Sequence, residues 1–195
     1  MRDNIYVRLG LPVLLVCIVS AAGLAMTYSF TKGPIEAQAR EAEQKSLTAC
    51  LPEAKTFEKI ADASMLAKAS TAAGDVTVDG LFRAVDGTGA TVGAGLLVGS
   101  RGYGGPIRMA VGVDRNGKVV GVTIVSMNET PGLGSKVVDD KTFLPRFKGL
   151  ASADEARKVD TITGATKSSR GVRKGVEAAL AAFTAIGGVE GVSAK

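Results

Sequence analysis

Ile107-Arg-Met-Ala-Val-Gly-Val-Asp-Arg-Asn-Gly-Lys-Val-Val-Gly-Val-Thr-Ile-Val-Ser126 decides the fold. Ile107, Met109, Val111 and Val113 alternate with Arg108, Ala110 and Gly112, the period-two pattern of a strand with one buried face. Asn116-Gly117 is a strong tight-turn signal, and Val119–Ser126 returns as the antiparallel partner. Upstream, Val76–Val85 ends in Asp86-Gly-Thr-Gly89 and a second apolar run, Thr91–Val98, comes next, which predicts another hairpin. The middle of the chain therefore reads as an antiparallel meander. After it, Val172, Val176, Leu180 and Phe183 recur at helical spacing until Gly187-Gly188 stops the run. Strands and helices segregated in this way predict an α+β fold, an antiparallel sheet with flanking helices.

The N-terminal side is different in kind. Leu9–Thr31 carries no charge and exceeds the roughly 20 residues a helix needs to cross the hydrocarbon. Arg2 and Arg8 precede it and Lys32 comes after it, so the positive-inside rule predicts a cytoplasmic N-terminus, with Tyr6 and Tyr28 near the two interfaces. A cleaved signal peptide ending near Ser20-Ala21-Ala22 is the rival reading, opposed by the apolar character that continues through Leu24, Met26, Tyr28 and Phe30. Both readings export the remainder of the chain. Gly33-Pro34 is expected to break the segment, with Pro34 in the first turn of a new helix. That helix carries a weak apolar stripe of Ile35, Ala39, Ala42, Ser46 and Cys50 and ends at Pro52. Residues 53–75 are ambiguous, with Phe57, Ile60, Met65 and Leu66 as possible core contacts. The expected organisation is a cytoplasmic start over 1–8, a membrane helix over 9–31, a helical stalk over 32–75 and a globular domain over 76–195.

Composition narrows the chemistry. There is no histidine, which removes the commonest general base, the commonest metal ligand and the imidazole-dependent hydrolase triads. Net charge is +5, but the basic residues are interspersed with acidic ones, so no nucleic-acid footprint is present. Cys17 lies inside the apolar run and Cys50 beyond it, so a chain spanning the bilayer brings no disulfide together. Leu47-Thr-Ala-Cys50 looks like a lipoprotein cleavage box but lies too far past the apolar run to act as one.

The loops carry the remaining signals. Gly99-Ser-Arg-Gly-Tyr-Gly-Gly-Pro106 tempts as a phosphate loop, yet no Lys-Ser or Lys-Thr comes after it and the next element is a strand, which favours a structural turn. Asn128-Glu-Thr-Pro-Gly-Leu-Gly134 is polar, then rigid, then flexible; its sequon-like start is a false positive beside proline. Asp139–Gly149 carries Phe143, Leu144 and Phe147 among charges, a short segment packed on the core. Asp160-Thr-Ile-Thr-Gly-Ala-Thr-Lys-Ser-Ser169 then sets hydroxyl residues around a Gly-Ala pair just before the last long helix. In one reading Ser168 or Ser169 caps that helix and Gly164 makes the turn. In the other, Thr166 and its neighbours meet a phosphate at the helix N-terminus, with Lys167 or Arg170 nearby.

Thr163-Gly-Ala-Thr166, with Asp160 before it and Ser168 after it, resembles the flavin-attachment motif of the FMN-binding domains of ion-translocating redox complexes. Gly102-Tyr-Gly-Gly-Pro-Ile107, Glu129-Thr-Pro-Gly-Leu-Gly134, the terminal helix and the single N-terminal membrane helix also match in type and order. The likeness is greatest to the G subunits of the Rnf (Rsx) complexes, which link ferredoxin and NAD; the C subunit of the sodium-pumping NADH:quinone reductase shares the motif. The resemblance implies FMN joined by a phosphodiester bond to the hydroxyl of Thr166, with Thr163, Gly164, Ala165 and Ser168 around the attachment point. It also implies Glu129, Thr130, Leu133 and Gly134 along the isoalloxazine or ribityl part. The implied function is electron relay within a membrane complex of the bacterial inner membrane rather than stand-alone catalysis. The flavin domain would be periplasmic, and a separate flavin transferase would mature it. The rivals are a related quinone-reductase subunit and an anchored, non-redox scaffold in which the loop is only a helix cap.

Overall fold

The computed structural model describes residues 5–193, with side chains described for residues 9–192. Arg2 and Lys195 lie outside the described residues, as do the side chains of Arg8 and Tyr6, the remaining basic charge ahead of the apolar run and the first interfacial tyrosine. The chain divides into two compact units, Met1–Glu41 and Ala42–Lys195.

The first unit is most of one helix, α1 (Ile5–Cys50). Over residues 9–31 its apolar side chains are exposed, Leu9, Val13, Leu24 and Phe30 among them, so this part of the helix is apolar all round with no protein core covering it. It is the one helix among the described residues long and apolar enough to cross a membrane. Its hydroxyls close on their own backbone: Thr27 donates to the Gly23 carbonyl and Thr31 to the Thr27 carbonyl, each at 2.9 Å. Gly33-Pro34 does not break the helix, contrary to expectation; Pro34 lies inside it. Proline removes one N–H bond, and the run Glu36-Ala-Gln-Ala-Arg40 just beyond it consists of good helix formers. The helix stops at Cys50, just ahead of Pro52.

The second unit is built on a five-stranded antiparallel sheet in the order β1-β2-β3-β4-β5. These strands are Thr56–Lys59, Thr77–Val85, Thr91–Arg101, Pro106–Asp114 and Val119–Met127. Both expected hairpins form. Asp114 accepts the N–H groups of Asn116 and Lys118 at 2.8 Å each, and Gly117 takes the positive φ of 77° that the turn requires. At the other turn Asp86 accepts from Thr88 N and Ala90 N. Strand β1 occupies part of the ambiguous stretch and pairs Lys59 with Phe82. Helix α2 (Ala63–Ala73) comes after it.

One face of the sheet, with Leu96, Val98, Ile107, Met109, Val111 and Val113, packs against α5 (Thr166–Ala185) through Val172, Val176, Leu180 and Phe183. α2 closes the same core, and Phe143 and Phe147 meet edge to face at 5.5 Å in and beside a short 3-10 helix, Leu144–Phe147. Each such fully buried side chain contributes about 1.5–3 kcal/mol.

The reverse face holds the last turns of α1. Leu47 and Cys50 pack there on Phe82, Leu97 and Ala110. Glycines make the room: a Cβ at Gly95 would lie 2.6 Å from Leu47 Cδ2, and at Gly112 or Gly121 it would lie 2.8 or 2.9 Å from the Cys50 carbonyl. Arg108 ties the helix to the sheet, donating to Asp79 at 2.7 Å and to Glu43 at 3.1 Å.

Candidate functional site

The site forms where α5 starts. Ala165 stands at its N-cap position and has no side-chain cap bond; Thr166 is the first helical residue. Ser168 and Ser169 were expected as caps, and the structure corrects this: both lie inside the first turn and are buried. Gly164 at φ 83° turns the chain so that the helix begins ahead of the serines, and the Ala165 N–H closes that turn on the Ile162 carbonyl at 3.0 Å. The Ser169 hydroxyl then braces the turn from behind. It accepts the Ile162 N–H at 3.1 Å and donates to the Ala165 carbonyl at 2.8 Å.

This arrangement leaves a helix start aimed outward. The first helical bond runs from Ser169 N to Ala165 O, so the N–H groups of Thr166, Lys167 and Ser168 precede it and have no acceptor within the helix. Thr166 itself is exposed. It sits in a cleft of about 320 Å³ with Gly164, Ala165, Lys167 and Ser168 on one side and Tyr103, Leu133 and Gly134 on the other. That volume is at the lower end of small-molecule sites, and the cleft opens to solvent.

Two ammonium groups lie around the Gly164–Lys167 stretch. Lys167 Nζ lies 5.2 Å from the centre of the Tyr103 ring, a cation–π contact from the helix to the opposite wall. Lys136, the first residue of α3 (Lys136–Asp139), reaches from the loop side: its Nζ is 3.2 Å from where a Cβ on Gly164 would stand. Positive helix end, lysines and free N–H groups together suit a phosphate or phosphodiester. The exposed Tyr103 ring and Leu133 side chain suit a flat apolar ring system.

The expected site residues fall into two groups. Thr166, Gly164, Ala165, Ser168, Leu133 and Gly134 line the one cleft, and exposed Thr163 precedes it. Glu129 and Thr130 are placed differently. The Glu129 carboxylate accepts the Tyr103 N–H at 2.8 Å and the Gly104 N–H at 3.2 Å, so it is spent on the turn between β3 and β4. The Thr130 carbonyl accepts from Leu133 N at 3.2 Å and shapes the loop that presents Leu133. Of the expected turn Gly99–Pro106, only Gly102–Gly105 turns, with Gly102 N bonded to Gly105 O at 2.8 Å; Gly99–Arg101 continue β3 and Pro106 opens β4. Tyr103 and Lys136 are additions. An aromatic residue stranded in a glycine-rich turn was the available signal for Tyr103; Lys136 carried none.

Residues 102–181 match the model of the FMN-binding domain, and residues 1–49 match that of the RnfG N-terminal region. The cleft residues all fall inside the first match. The chain is 28% identical over 190 residues to the G subunit of the Na(+)-translocating ferredoxin:NAD(+) oxidoreductase complex of Acetobacterium woodii, covering 90% of each chain. It is 31% identical over 182 residues to the G subunit of the ion-translocating oxidoreductase complex of Aliivibrio fischeri, covering 85% of this chain and 84% of that one. A crystal structure of Shewanella oneidensis NqrC superposes at a TM-score of 0.48 and 23% identity, over 60% of this chain and 61% of the other.

Proposed function

The chain belongs to the family of G subunits of ion-translocating oxidoreductase complexes, and from that premise we propose that it is a membrane-anchored flavoprotein relaying electrons within an Rnf-type ferredoxin:NAD oxidoreductase. Its FMN is held by a phosphodiester bond to the Thr166 hydroxyl. The observation that carries this reading is the exposed Thr166 at an uncapped helix start inside the cleft.

When bound, FMN supplies the electron-transfer chemistry that no side chain of this histidine-free protein provides. The chain's own contribution is to hold and orient. The N–H groups of Thr166, Lys167 and Ser168, with the Lys136 ammonium, offset the negative charge that a phosphodiester keeps; the helix terminus alone is worth about 0.3–1 kcal/mol. Gly164 and Ala165 leave the approach to Thr166 unobstructed by larger side chains, while Leu133 and Gly134 take the ring end. Attachment suits an exported subunit, since an exchanging FMN would be lost by dilution outside the cytoplasm.

Residues 9–31 anchor the protein in the bacterial inner membrane, with the N-terminus cytoplasmic and the flavin domain, which the sheet extends upstream of residue 76 to include β1 and α2, periplasmic. The partners are the other subunits of the complex and a flavin transferase that modifies Thr166. Flavin fluorescence should stay with the polypeptide after denaturation; flavin that separates from it would rule out the covalent bond. A reporter fused after Lys195 should be active only outside the cytoplasm, and cytoplasmic activity would reverse the topology.

A further inference from the structure

Outside α1, the exposed large hydrophobic side chains among the described residues are Tyr103, Leu133 and Val138. Two of the three line the Thr166 cleft and come from separate loops. Tyr103 is 65% exposed at the tip of a turn whose residues 102, 104 and 105 are all glycine. The backbone of that turn is held by Glu129. Its two carboxylate oxygens take the Tyr103 and Gly104 N–H groups, at 2.8 and 3.2 Å. The carboxylate lies in a slot between two glycines, since a Cβ at either Gly102 or Gly134 would overlap it. One side chain thus fixes the β3–β4 turn against the loop that carries Leu133, and so holds the two apolar side chains of the cleft in place relative to each other. The ring is also within a side chain's reach of the attachment point, because Lys167, the residue after Thr166, lies over its face.

Resting on the flavin reading of this cleft, we propose that Tyr103 is the aromatic wall against which the isoalloxazine ring lies, and that Glu129 is its positioning residue. Glu129 acts through the backbone of the turn and does not touch the ring. A carboxylate can accept both N–H groups at once; a glutamine amide accepts one and turns its NH₂ toward the other. Glu129→Gln should therefore release the turn and with it the ring.

The test uses full-length protein loaded with flavin, its attachment verified by intact mass. Flavin fluorescence is compared in wild type, Tyr103→Ala, Glu129→Gln and the double variant. A stacked tyrosine quenches flavin emission by donating an electron to the excited ring, so Tyr103→Ala should raise the emission several-fold at unchanged flavin content. Glu129→Gln should raise it part of the way, and the double variant should match Tyr103→Ala alone. Tyr103 is exposed, so its removal leaves the fold intact and that arm decides the wall. Emission unchanged in Tyr103→Ala overturns the wall. Wild-type emission in Glu129→Gln, or additive effects in the double variant, overturns the positioning role. A wild-type protein with no flavin mass overturns the flavin reading and this proposal together, a distinct outcome from flavin that is attached but unquenched.

Discussion

Helix α2 starts on Asp62, whose carboxylate accepts the Ser64 N–H at 2.9 Å, and α4 (Ala153–Arg157) starts on Ser152, whose hydroxyl accepts the Glu155 N–H at 3.2 Å. Helix α5 is longer than either and starts on Ala165, which has nothing to cap with. A cap is worth about 1 kcal/mol, and serines stand close by in the sequence. The chain instead spends the Ser169 hydroxyl on bracing the turn from the buried side, and leaves the first N–H groups without a side-chain cap. The α2 and α4 starts are closed by their own side chains; the α5 start, inside the cleft, is instead braced from behind by Ser169.

Substitutions at the two kinds of start separate them. Thr166→Ala carries the largest effect: covalent flavin should vanish entirely, while the stability of the flavin-free protein changes by less than about 0.5 kcal/mol, because the side chain is exposed. Flavin fluorescence on the denatured polypeptide checks the first part and urea denaturation the second. Leu133→Asp puts a charge on the cleft wall opposite Thr166 and should displace the absorption bands or midpoint potential of attached flavin. Unchanged values would place that loop away from the ring.

Ser169→Ala should lower stability by about 1–3 kcal/mol, since the Ile162 N–H loses its acceptor, and should also slow flavin attachment by loosening the Thr166 turn. A denaturation curve paired with a time course of incorporation tests both, and full stability would mean the brace is incidental. Asp62→Ala should cost about 1 kcal/mol and leave flavin attachment at the wild-type rate. Slower attachment there would erase the contrast between the two helix starts.

How much of this could be read in advance depended on whether a residue announces its role through a pattern. The β4–β5 hairpin was legible because Ile107–Val113 alternate and Asn116-Gly117 permits one sharp turn. The body of α5 was legible from Val172, Val176, Leu180 and Phe183. Strand β1 was not, because Thr56–Lys59 is too short to show a period. Nor was the reverse face of the sheet. Gly95, Gly112 and Gly121 look like breaks in a strand, and only the placement of Leu47 and Cys50 shows them to be room for a helix end. Pro34 misled because proline usually ends a helix, and the residues after it were strong enough to continue.

At the site, Thr166, Leu133 and Gly134 came from likeness to a family, and the cleft brings them together. Ser168 and Ser169 misled as caps because the glycine turn starts the helix before them. Glu129 was legible as important but not in its contacts, since a carboxylate bonding the backbone of a distant turn leaves no trace in spacing.

The account turns on the bond at Thr166. Intact-protein mass spectrometry, on protein made with and without a flavin transferase, reads it directly. The prediction is a single added flavin phosphate that appears only with the transferase and maps to the peptide containing Thr166. No added mass in its presence, or added mass that persists in Thr166→Ala, would contradict the central claim.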